Sequence, residues 1–137
     1  MSRILAIDYG ARRTGLAVTD PLQIIANPLD VVPTHELEEY LKNYFSIENV
    51  EKVVIGMPKN TNGSDTDATV LVRAFVNRFR KVFIDMRLIL HDERFTSRLA
   101  FNSMIAGGLK KKNRQNKGTV DKVSATIILQ SYLESIS

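Results

Sequence analysis

One stretch near the start of the chain constrains everything after it: Ile4-Leu5-Ala6-Ile7-Asp8-Tyr9-Gly10-Ala11-Arg12-Arg13-Thr14-Gly15-Leu16-Ala17-Val18-Thr19-Asp20. An apolar run of strand length ends in a carboxylate. A glycine-bracketed, doubly basic turn follows, and then a second short apolar run. The first run has no polar alternation, so it reads as a strand buried on both faces, with Asp8 at or near its end. A carboxylate there is costly unless it is paired, hydrogen-bonded or bound to a metal.

The chain of 137 residues has room for one domain with a substantial core, and no internal boundary is visible, so residues 1–137 read as a single domain. There are no cysteines, which excludes disulfides and thiolate metal sites. No apolar stretch approaches the length of a membrane span, and strand-like residues begin at Ile4 where a signal peptide would lie. The expectation is a soluble cytoplasmic protein with no membrane partner. Its charge is uneven. Lys110, Lys111, Lys112, Arg114 and Lys117 hold five of the nineteen Lys and Arg with no acid among them, leaving fourteen against fifteen acids elsewhere. The basic character is therefore local, as in a patch that meets polyanions. The plainer alternative is a solvated loop.

Strands are expected at residues 3–8, Leu16–Thr19, Ile24–Val32, Lys52–Ile55 and Met86–Leu90. The short first connection suits an antiparallel pair. Asn27-Pro28 suggests an edge position for the third strand. Thr34 is a candidate cap for a helix whose apolar stripe is Leu37, Tyr40, Leu41, Tyr44 and Phe45. Ser64 is a candidate cap for a second helix, with Ala68, Leu71, Val72, Phe75 and Phe79 facing the core. Thr96 or Ser97 would cap a helix that Gly107-Gly108 stops near Ala106. Thr119 would cap a last helix reaching about Leu133. Three strands in succession, then helices alternating with strands, predict an α/β fold: a mixed sheet with helices on its faces.

The last helix supplies a partner for Asp8. At 100° per residue, Lys122, Thr126, Gln130 and Glu134 form its polar stripe, and Asp121 lies about 160° away. It shares that side with Ser124, Ala125, Ile128 and Tyr132. An aspartate at a helix start is favoured by the dipole, but it normally faces water. Glu93 is a second partner, following a predicted strand whose carboxyl end is where α/β sheets form sites. Three converging carboxylates repel unless a cation is present, and oxygen-only ligation suits Mg²⁺ or Mn²⁺. Two such ions about 3.5–4 Å apart can stabilise the attacking and leaving oxygens of phosphodiester hydrolysis. Arg13 and the basic segment would hold phosphates. His35 and His91 have no ligand spacing, and no Walker or dinucleotide-binding glycine loop is present. Tyr9 could stack on a base.

Four blocks in order carry a family resemblance: Asp8-x-Gly10-x-x-Arg13-x-Gly15-x-Ala17-x-x-Asp20; Gly56-x-Pro58 with Gly63; Asp92-Glu93-Arg94-x-Thr96-Ser97-x-x-Ala100; and Lys117-Gly118-x-x-Asp121 leading to Ile128-Leu129-Gln130-x-Tyr132-Leu133. Over nearly its whole length the chain resembles the YqgF/RuvX-type family of Holliday junction resolvases and pre-16S rRNA nucleases. The resemblance implies an RNase H-like fold with a five-stranded mixed sheet, its first three strands antiparallel, and helices on both faces. It implies an acidic triad of Asp8, Glu93 and Asp121, which would be both catalytic and metal-binding, with Arg94 joining Arg13 and Lys110, Lys111, Lys112, Arg114 and Lys117 on the substrate. Two substrates are implied: the 5′ end of precursor 16S ribosomal RNA, which is preferred and would bring ribosomal precursor particles as partners, and four-way DNA junctions. Ser124 stands where the family usually has alanine. Two other classes compete. An actin- or sugar-kinase-type nucleotide-binding domain opens similarly but needs two domains. A non-catalytic nucleic-acid adaptor would use the basic segment and have no need of three acids. The chain is expected to act as a monomer or a homodimer.

Overall fold

The computed structural model describes residues 2–58, 62–92 and 117–136, giving the helix alone over 117–122. Five strands form one sheet: β1 (Arg3–Asp8), β2 (Arg13–Thr19), β3 (Ala26–Pro33), β4 (Val50–Met57) and β5 (Arg87–Asp92), in the order β3-β2-β1-β4-β5. The pairs β1–β2 and β2–β3 are antiparallel, whereas β1–β4 and β4–β5 are parallel. This is the mixed RNase H-like α/β sheet. Three α-helices are described: α1 (Leu37–Ile47), entered through a 3-10 turn at Thr34–Glu36, α2 (Asp67–Val82) and α3 (Lys117–Ile136). The expected helix from Thr96 or Ser97 to Ala106 lies outside the described residues.

The unbroken apolar run of β1 has the expected cause, because helices cover both its faces. Leu5 and Ile7 pack with Leu37 and Leu41 of α1 and with Val72, Val76 and Phe79 of α2. Ile4 and Ala6 pack with Ala125, Ile128, Leu129 and Tyr132 of α3. Strand alternation therefore gives the sheet an α1/α2 side and an α3 side. The stripe expected on α1 is borne out: Leu37 and Leu41 are buried, and Tyr40, Tyr44 and Phe45 pack against the same cluster. On α3, Ala125, Ile128 and Tyr132 are buried while Gln130 and Glu134 are exposed, as the polar stripe required. Pro28 and Pro33 lie on β3, an edge strand, where a missing N–H costs least.

Several boundaries differ from expectation. The second strand starts at Arg13 rather than Leu16, so Gly15 is a strand residue and the reversal occupies Tyr9–Arg12. The strands β4 and β5 run on to Met57 and Asp92, because each supplies the other's ladder in the pairs Ile55↔Leu90, Gly56↔His91 and Met57↔Asp92. The second helix is capped by Thr66, not Ser64. The Thr66 hydroxyl accepts from the Thr69 N–H at 3.1 Å, and the Thr69 hydroxyl accepts from the Thr66 N–H at 2.9 Å. This reciprocal box satisfies two backbone donors at the helix start. It also buries Thr69, which donates to the Pro58 carbonyl, and Val76, and leaves Ala68 and Leu71 exposed. Thr34 does not cap α1; its hydroxyl donates to the Gly10 carbonyl at 2.6 Å. Thr119 lies inside α3 rather than before it.

Candidate active site

Asp8 ends the central strand, half-buried, with the side-chain parity of Ile4 and Ala6, so it belongs to the α3 side of the sheet. The row across the sheet at this level is informative. Val31 pairs with Gly15, and Gly15 pairs with Asp8. On the other flank Gly56 is the next β4 position after Ile55, the partner of Ile7, and Gly56 pairs with His91. Asp8 thus stands between two glycines. Neither neighbouring strand puts a side chain beside its carboxylate, which leaves lateral room for a ligand at a strand's carboxyl end. The sequence contains both glycines, but their meaning depends on knowing that β2 and β4 are the neighbours of β1.

The loop after Asp8 is fixed from two sides. The Thr34 backbone N–H donates to the Arg12 carbonyl at 2.9 Å, and the Thr14 and Thr34 hydroxyls are 3.0 Å apart. The Gly10 backbone sits so close to the Arg13 carbonyl that a Cβ added there would lie 2.3 Å from its oxygen. The constraint at Gly10 is steric. Replacing it by alanine is expected to cost about 1–3 kcal/mol through backbone displacement, seen as a lowered melting temperature; an unchanged melting temperature would show that the turn relaxes freely. Arg13 emerges from this turn at the first position of β2, exposed at the Asp8 end of the sheet. Tyr9 has a different role from the one expected. Its ring stacks on Phe75 of α2, centroids 4.5 Å apart, so it joins the core on the side away from Asp8 and is not offered to a base.

His91 closes the row on the α3 side. Its Nε2 lies 2.9 Å from the Ser131 hydroxyl, and its ring meets Tyr132 edge-on. Burial lowers its pKa, only partly opposed by Asp92, so the imidazole is neutral near pH 7 and brings no positive charge to the Asp8 row. Asp92 does not join Asp8. It lines a pocket with α2, on the opposite side of the sheet.

Glu93, Arg94, Lys110, Lys111, Lys112 and Arg114 lie outside the described residues. Asp121 and Lys117 occupy the first two turns of α3, Asp121 one helical turn before the buried Ala125. Among the described residues, no three acidic or histidine side chains converge to hold a metal ion. The oxygen chemistry of Asp8, at a strand end whose neighbours are glycines, nevertheless fits a hard divalent cation as one ligand of a larger set.

A sheet of this order with a carboxylate at the end of its central strand and helices on both faces defines an RNase H-like protein. The chain belongs to the RuvX family, described as Holliday junction resolvase, whose model matches residues 2–135. It is therefore a member of a nuclease family. Two relatives each carry the name "Putative pre-16S rRNA nuclease". One, from Flavobacterium johnsoniae, is 54% identical over 135 residues, covering 98% of both chains. The other, from Phocaeicola vulgatus, is 56% identical over 135 residues, covering 98% of this chain and 97% of the relative. Among solved structures, Thermus thermophilus RuvC in complex with a Holliday junction substrate superimposes with a TM-score of 0.57 at 15% identity, over 100% of this chain and 98% of that one. At that identity the likeness speaks for the fold.

Proposed function

We propose that this chain is a cytoplasmic, metal-dependent, single-domain endonuclease that matures the 5′ end of precursor 16S rRNA. The observation that carries the reading is Asp8: a carboxylate on the central strand's end, flanked by Gly15 and Gly56, in a family of nucleases whose relatives here, at 54% and 56% identity, are named for that substrate. In this reading Glu93 supplies the second carboxylate. It follows directly on β5, the strand next to β4, in the sequence. Asp121 supplies the third, supported by its place one turn before Ala125 on a helix whose later residues Ala125 and Ile128 pack on Ile4 and Ala6. The bound Mg²⁺ or Mn²⁺ would neutralise charge at the scissile phosphodiester and activate water. The protein's own part is to hold three oxygen donors at one end of a rigid sheet and to grip flanking phosphates with Arg13, Arg94, Lys110, Lys111, Lys112, Arg114 and Lys117, charges that fix register without reading sequence.

The test is cleavage of two substrates in parallel, a precursor RNA segment spanning the mature 16S 5′ end and a four-way DNA junction, each with Mg²⁺, with Mn²⁺ and with EDTA. Metal-dependent cutting of the RNA at the mature end is expected. Cutting of the junction alone would reassign the substrate to branched DNA. Equal binding with and without metal and no cutting of either would make the chain an adaptor.

A further inference from the structure

We propose that a pocket on the α2 side of the sheet is a nucleotide subsite, which holds one nucleotide of the RNA strand flanking the cleaved bond. The proposal rests on the nuclease reading above. The pocket, about 440 Å³, opens between α2 and the last residues of β4 and β5. That volume falls in the range of sites for small organic ligands, roughly 300–1,000 Å³. Its floor is apolar: Met57 and Val76 are buried, whereas Leu90 is 44% exposed. The flat face of a base can cover the exposed part of Leu90.

The wall is chemically different from the floor. Asn77 and Arg80 are three residues apart on α2 and so stand on one helix face above Leu90. The other arginines of α2 are engaged. Arg73 grips both Asp65 oxygens, and Arg78 binds Glu38 with Nε–Oε1 at 2.9 Å. Arg80 makes no ion pair or hydrogen bond among the described residues, so its guanidinium is the pocket's available anion donor. Asn77 offers both a donor and an acceptor to a base edge. Cation, amide and apolar floor together match a phosphate, a base edge and a base face. A basic residue near a helix C-terminus also complements the helix dipole, which accounts for the charge of Arg80 but not for its lack of an acidic partner among the described residues.

The pocket also lies near the candidate active site along the sheet. Met57 and Asp92 pair at the ends of β4 and β5, and β4 is the direct neighbour of β1, which ends at Asp8. At about 4.8 Å between strands, the pocket lies one to two strands across from Asp8 and on the other side of the sheet. In this proposal an RNA strand whose scissile phosphate meets Asp8 would bend around the sheet to reach it.

The probe is a fluorescein-labelled single-stranded RNA spanning the mature 16S 5′ end, used with the full chain. Arg80→Ala is expected to raise KM by about three- to tenfold with kcat nearly unchanged, and to flatten the dependence of log K on log salt by about 0.7, one phosphate contact. Arg80→Lys should recover the slope, a result that a purely structural arginine would not give. Wild-type KM and slope in Arg80→Ala, with wild-type protein cutting the RNA normally, would overturn the subsite and leave the nuclease reading standing. Wild-type protein that binds the RNA but cuts neither it nor a four-way junction would remove the nuclease reading; the slope change in Arg80→Ala would then decide the subsite alone.

Discussion

Asp8→Asn is expected to lower the rate of metal-dependent RNA cleavage by about 10³-fold or more while leaving RNA binding nearly intact. The change keeps the shape of the side chain and removes a full negative charge. The residue is half-buried at the end of the central strand, flanked by Gly15 and Gly56, so the amide has room to occupy the same place. Binding energy comes mainly from cations on the phosphates and should persist. Charge stabilisation in the transition state should not, and removing one electrostatic group of this kind costs about 10²–10³ even where no metal ligand is lost. The measurement is single-turnover cleavage with Mg²⁺ beside a binding titration on the same RNA. A rate within tenfold of wild type would exclude Asp8 from the chemistry.

Periodicity located what depends on one element alone. The buried run of β1, the stripe on α1 and the sheet-facing side of α3 each follow from a single period, and each is as expected. What was not legible depends on neighbours. Gly15 read as half of a turn bracket and proved to be a strand residue because β3 supplies it with a partner, Val31. The strands β4 and β5 outlast their apolar runs because each completes the other's ladder. On α2 the apolar residues Ala68 and Leu71 read as core, but the phase of the helix is set by the Thr66–Thr69 box, which buries a threonine in their stead. The candidate site shows the same division. Asp8 announces itself by breaking an apolar run. The two glycines beside it become meaningful only when β2 and β4 are laid along β1. Asn77 and Arg80 look like ordinary surface residues of an amphipathic helix until β5 brings Leu90 beneath them.

Phe79→Ala is expected to produce the largest loss of stability of any single truncation in the α2 layer, about 3–5 kcal/mol. Phe79 is among the largest fully buried side chains, 1% exposed. It is also the middle of an aromatic series. Tyr9 stacks on Phe75, Phe75 meets Phe79 with centroids 5.9 Å apart, Phe79 meets Phe83 at 4.8 Å, and Phe83 meets Phe45 of α1 edge-on at 5.2 Å. Truncation therefore opens a cavity and removes two ring contacts at once, each worth about 0.5–1.5 kcal/mol beyond burial. The melting temperature should fall by about 10–20 °C, at the few degrees per kcal/mol expected for a domain of this size. A fall of less than about 3 °C would mean that the layer collapses to fill the space. The consequence for function separates the two halves of the molecule. The series runs on the α1/α2 side of the sheet, whereas Asp8 has the parity of Ile4 and Ala6 on the α3 side. Well below its melting temperature and at saturating RNA, Phe79→Ala should cleave RNA at close to the wild-type rate, the inverse of Asp8→Asn. Tyr9 is the point where that separation is thinnest: it neighbours Asp8 in the chain and is held by the first ring contact of the series. A cavity at Phe79 that frees Phe75 would loosen Tyr9 and, through it, the Gly10 turn. Any activity deficit in Phe79→Ala should therefore grow with temperature ahead of global unfolding.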